Sequence, residues 1–131
     1  MTGHVLSRAL ACLLVVAGLV TTAAAQDTQR SRSHDGRWLI SNVTQDSAAC
    51  AGVIRGAMFI RDDIVNGYVT HSTEGDFAIT GSVAPDGRLV DVQATGTAIS
   101  VSVDGRLGTD SANGRWRTRD CHGGWTARRA P

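Results

Sequence analysis

Residues 98–108 alternate strictly, and that rhythm narrows what the chain can fold into more than any other feature. Ile99, Val101, Val103, Gly105 and Leu107 fall on one side, while Ser100, Ser102, Asp104 and Arg106 fall on the other. A period of two belongs to a strand with one buried face; a helix would scatter the same residues around its axis. Residues 76–84 repeat the pattern, with Phe77, Ile79 and Val83 opposite Ala78, Thr80 and Ser82, before the turn Pro85-Asp86-Gly87. Extending the reading predicts eight strands, near 36–45, 51–60, 64–71, 76–84, 87–95, 97–108, 113–119 and 123–129. The links between them are short, and short links join antiparallel neighbours, because parallel pairing needs a crossover of a dozen or more residues. Beyond residue 25 there is no capped, amphipathic helical stripe. The predicted fold is all-β: a single-domain, antiparallel, up-and-down meander of about eight strands. Two free edges would invite aggregation, so the sheet is expected to close, or nearly close, into a small barrel.

The first 25 residues read as an address. Arg8 precedes an apolar run over residues 9–20, and Ala23-Ala24-Ala25 supplies a small-residue cleavage site ahead of Gln26. Twelve residues span about 18 Å as a helix, short of a bilayer core of about 30 Å. The expectation is a cleaved signal peptide over 1–25, a flexible polar arm over 26–35 and a β-barrel domain over 36–131. It carries with it a periplasmic or secreted location and no membrane span once the leader is gone.

Export changes how the cysteines are read. Cys12 leaves with the leader, so Cys50 and Cys121 remain as an even pair, and a disulfide is expected between them. Parity supports it: in a meander the links between strands 1 and 2 and between strands 7 and 8 lie at the same end. If strand 8 pairs with strand 1, those links become neighbours. A metal site at Cys121 and His122 lacks the spaced second pair of ligands that zinc needs, so no metal and no cofactor is expected.

Loss of Arg8 brings basic and acidic residues into balance, which removes the basic surplus that nucleic-acid binding requires. The chain contains no lysine, so Schiff-base and phosphate-loop lysine chemistry are excluded. All-arginine, Ala- and Gly-rich usage points to GC-rich bacterial coding. Charge is bipolar: acids dominate residues 62–91 and arginines dominate 110–131. Gly56, Gly67, Gly81 and Gly105 fall inside strands, where glycine permits the bending a small barrel needs.

Three tryptophans occur in related settings, Gly36-Arg37-Trp38, Gly114-Arg115-Trp116 and Gly124-Trp125, and the first two tripeptides are expected to open strands 1 and 7. An indole entering over a glycine plugs one end of a core and needs a partner for its N–H. Gly36 and Trp38 on the first strand, with Arg128 or Arg129 on the last, resemble the calycin pattern of lipocalins and avidins. That resemblance implies a barrel that binds a small hydrophobic or vitamin-like ligand. The closing run Gly114-Arg115-Trp116, then Cys121-His122-Gly123-Gly124-Trp125-Thr126-Ala127-Arg128, is similar to that of small exported alphaproteobacterial β-rich proteins, which implies export and a β fold.

Catalytic patterns are absent. There is no Gly-x-Ser-x-Gly elbow, and His34, His71 and His122 have no spaced carboxylate and nucleophile. Asp62-Asp63 is a turn signal before it is a carboxylate pair for glycoside cleavage. The functional expectation is an exported, non-enzymatic barrel that binds a small molecule or associates with the envelope. Trp38, Tyr68, Trp116 and Trp125 are the candidate ligand contacts. The alternative is a protein-interaction module, a secreted inhibitor or an adaptor for an envelope protein.

Overall fold

The structure is a computed structural model, and it describes residues 32–131. The expected signal peptide, its cleavage site and the first residues of the expected arm lie outside the described residues. Eight strands follow one another: β1 (Gly36–Val43), β2 (Ile54–Arg61), β3 (Ile64–His71), β4 (Gly75–Val83), β5 (Leu89–Thr95), β6 (Ser100–Leu107), β7 (Ser111–Arg117) and β8 (His122–Arg129). Each pairs antiparallel with the next, and β8 returns to β1 to close the barrel. Closure leaves no free edge, which is the property the short alternating strands require.

Local chemistry explains the tight links. Asp62 and Asp63 join β2 to β3 with φ of 50° and 64°, the left-handed pair of a two-residue hairpin turn, for which aspartate is one of the few suitable residues. This is the structural role of the acidic pair. β4 and β5 lose register around Gly81, where Asp91 takes φ of 50° as the extra residue of a bulge.

The meander has two ends. One carries the links β2–β3, β4–β5 and β6–β7, and the other carries β1–β2, β3–β4, β5–β6 and β7–β8. At the first end the interior is filled. Trp38 is completely buried there beside Ile60, Val65, Val83, Leu89 and Leu107. Arg32–His34 forms a 3-10 turn just before β1, and the Trp38 Nε1–H donates to the His34 carbonyl at 2.9 Å. The Arg129 guanidinium carbon lies 4.7 Å from the centroid of the Trp38 ring, so of the two candidate arginines it is Arg129 that stacks. Its terminal nitrogen donates to the Ser33 carbonyl, tying β8 to the turn.

Two expectations are corrected here. The polar segment is not free through residue 35: residues 32–34 form the turn, and His34 is buried against the β4–β5 link, where a Cβ on Gly87 would lie 3.1 Å from its Nε2. The carbonyls of Ser33 and His34 hold Arg129 and Trp38, and carbonyls leave no mark on a side-chain pattern. Gly114-Arg115-Trp116 does not open β7; the strand starts at Ser111, and Trp116 lies at its far end. The link is only Gly108-Thr109-Asp110, closed by the Gly108 N–H donating to the Ser111 carbonyl.

Candidate functional site

At the second end the barrel is hollow. A cavity of about 240 Å³ occupies the half of the interior away from Trp38. Its walls are inward-facing residues of every strand, chiefly Ile40, Val43, Ile54, Val69, Phe77, Val101, Val103, Trp116 and Trp125, above a floor that includes Met58, Ile79 and Ala94. Trp38 seals the barrel beneath it.

The mouth is built by the links. Cys50 and Cys121 are bonded, with Cα atoms 5.8 Å apart, and fasten the β1–β2 link to the β7–β8 link. The parity argument placed them at one end, and they form its rim: Ala49, Cys50, Ala51, Thr118 and Cys121 all line the opening. Further bonds hold the same link down. Thr44 N–H donates to the Gly124 carbonyl and Asp46 N–H to the His122 carbonyl, which extends the β1–β8 pairing past Val43. Outside the barrel, the Asp46 carboxylate receives Arg115 Nη2 at 2.6 Å and has His122 Nδ1 at 2.7 Å. The hydrogen bonds from Arg115 and then His122 hold the Asp46 carboxyl below the usual carboxylate range. Ser47 caps the single 3-10 turn over Ala48–Cys50 by accepting from Ala49 N–H.

The two wall tryptophans lie across glycines of neighbouring strands. Trp125 crosses β7 at Gly114, its register partner, and its Nε1–H donates to the Asp104 carbonyl of β6 at 3.0 Å. A Cβ on Gly105 would sit 2.6 Å from the Trp125 ring. Trp116 lies over Gly123, where a Cβ would approach its Nε1 to 2.8 Å, and donates to the Thr44 carbonyl at 3.0 Å. At Gly105 and Gly123, therefore, glycine makes room for an indole, a role beyond the strand bending expected from the sequence.

His71 closes the β3 side of the mouth. Its Nδ1 accepts the backbone N–H groups of Thr73 and Glu74 at 3.1 Å each, which places the ring proton on Nε2. That edge of the ring abuts Gly52 of the adjoining β1–β2 link, where a Cβ would clash with Nε2.

Of the four expected ligand contacts, the structure brings two together. Trp116 and Trp125 line the cavity. Trp38 does not; it is the plug below. Tyr68 is not on the wall either: it alternates with the inward Val69 and Val65, points outward and is 49% exposed, its ring centroid 6.4 Å from that of Phe59. Its aromatic character suggested a ligand contact where its position in the alternation did not. The cavity residues that the sequence reading missed, such as Val101, Val103 and Phe77, were legible as inward-facing but not as wall. Among the described residues, no group of three or more His, Cys, Asp or Glu side chains is placed to hold a metal ion. None of the described helices is long and apolar enough to cross a membrane. No protein-family model, curated protein or solved structure matches this chain.

Proposed function

We propose that this is an exported, non-enzymatic carrier that takes one small hydrophobic molecule into the disulfide-rimmed end of its barrel. The observation that carries the reading is the cavity: apolar walls, one end sealed by Trp38 and the other opening between the Cys50–Cys121 rim and His71. Concave, mostly apolar, preformed sites are where small ligands bind. Eight strands leave an interior just wide enough for side chains or one small ligand, and here the filled half and the hollow half divide those two uses. The disulfide suits an oxidising compartment, periplasmic or extracellular. Trp38, under the 3-10 turn and beneath Arg129, closes the end of the barrel away from the cavity.

Calorimetric titration with 3-phenyl-1-propanol tests the carrier. It is expected to bind saturably at one site; Val101→Phe, which fills the cavity, abolishes binding, and Tyr68→Ser on the outer face leaves it unchanged. Binding that survives Val101→Phe, or no binding at all, would overturn the reading.

A second reading has an observation of its own. On the outer face of β1–β3, Leu39, Phe59 and Tyr68 are exposed and cover Ala57, which is only 1% exposed although its side chain points away from the core. Arg37, Arg55, Arg61 and Arg128 surround them on the same face. This is the surface of an interaction module for an acidic, partly apolar envelope protein, and Tyr68→Ser with Phe59→Ser would abolish capture of that partner.

A further inference from the structure

The polar groups of the cavity lining are unevenly engaged. Most have partners within the protein. The Trp116 and Trp125 N–H groups donate to the Thr44 and Asp104 carbonyls. His71 Nδ1 is taken up by Thr73 and Glu74 backbone N–H groups, while its Nε2 lies against Gly52 without a hydrogen bond among the described residues. Thr118 Oγ1 accepts from the N–H groups of Asp120 and Cys121 and donates to the Cys121 carbonyl. Glu74 is the other exception. It belongs to the β3–β4 link at the mouth and is the only lining residue with a formal charge; its carboxylate has no hydrogen bond or ion pair among the described residues. No lysine or arginine lines the cavity. The interior therefore offers aromatic faces, on Phe77, Trp116 and Trp125, and one negative charge at the entrance.

We propose that the ligand is a hydrophobic organic amine, its apolar body inside the barrel and its cationic head at the mouth beside Glu74; this rests on the carrier reading above. Ring faces attract cations as well as apolar groups, and an anionic head would meet Glu74 with no lysine or arginine on the wall to offset it. Size limits the body. An engineered cavity of about 150 Å³ takes a benzene, so the space here suits a ligand of about ten heavy atoms, an arylalkylamine rather than a long-chain lipid.

Three probes of one skeleton separate the possibilities: 3-phenylpropylamine, 3-phenyl-1-propanol and 3-phenylpropanoate, titrated calorimetrically into the disulfide-bonded protein at neutral pH and low salt. The amine is expected to bind about threefold tighter than the alcohol and about tenfold tighter than the carboxylate, the scale of an exposed ion pair and its like-charge counterpart. Glu74→Gln brings the three together, and Glu74→Arg inverts the order. A carboxylate that binds the native protein as tightly as the amine, or an amine preference that survives both substitutions, overturns the proposal while leaving the carrier reading in place. If the alcohol fails to bind as well, the carrier reading falls and the amine proposal falls with it.

Discussion

The same tripeptide stands at both ends of the barrel with opposite results. Gly36-Arg37-Trp38 and Gly114-Arg115-Trp116 each send an indole inward and satisfy its N–H on a backbone carbonyl, of His34 in one case and Thr44 in the other. Trp38 is nevertheless fully buried, while Trp116 is partly buried and faces a cavity. The difference lies in what crosses the indole from elsewhere in the chain. Over Trp38 come the turn Arg32–His34 and the Arg129 guanidinium. Over Trp116 comes only the disulfide-bound lip, which leaves an opening. A local motif thus sets the direction of the side chain, and distant segments decide whether it becomes a plug or a wall.

The largest effects follow from that contrast. Trp38→Ala removes a large aromatic from a filled, sealed half and is expected to cost about 3–5 kcal/mol in urea unfolding. Trp116→Ala, already facing open space on one side, is expected to cost about half as much or less. Equal losses would break the distinction between plug and wall.

Replacing Cys50 and Cys121 together by serine tests the open end alone. Their bond spans 71 residues of sequence, so its loss costs about 4 kcal/mol in the chain-entropy account, less where the unfolded chain retains structure. The same double variant frees the lip, so affinity for 3-phenyl-1-propanol is expected to fall, while the Trp38 environment, read by its indole N–H resonance, stays unchanged. A shifted Trp38 resonance would show that the two ends are not independent.

The smallest effect concerns acid. Asp46 has a lowered pKa in the folded protein because of Arg115 and His122, so its bonds contribute stability above the ordinary carboxylate range. That contribution disappears as pH falls through the lowered value. Asp46→Asn should therefore cost stability near neutral pH, with the gap from native closing in acid; a gap that widens in acid would contradict the assignment. Asp46 is exposed to solvent, and added salt is expected to shrink the effect as well.

How much of this was legible beforehand depended on whether the signal lay in side-chain pattern. The alternation of Ile99, Val101, Val103 and Leu107 specified a strand and its inner face, and the parity of Cys50 and Cys121 placed their links at one end. Both depend on periodicity, which a sequence displays directly. The same periodicity put Tyr68 on the outer face with Asn66 and Thr70, and only its chemistry argued otherwise. The turn before β1 carried no signal, because Ser33 and His34 hold Arg129 and Trp38 through carbonyls that every residue possesses. The cavity was hidden for another reason. Whether inward valines, isoleucines and alanines fill a space or surround one depends on barrel width and on where the single large plug sits, and neither is written in alternation. The placement of Trp125 over Gly105 shows the same limit: the glycine was visible, but the indole that needs it comes from two strands away.

The central claim is that the barrel is sealed at the Trp38 end and open to a small apolar guest at the Trp116 end. A proton–nitrogen correlation spectrum of the folded protein, recorded with and without 3-phenyl-1-propanol, tests it through the indole N–H resonances. The account predicts that the resonances of Trp116 and Trp125 shift together with saturation while that of Trp38 stays in place. A shift at Trp38, or saturation that leaves Trp116 and Trp125 unmoved, would contradict it.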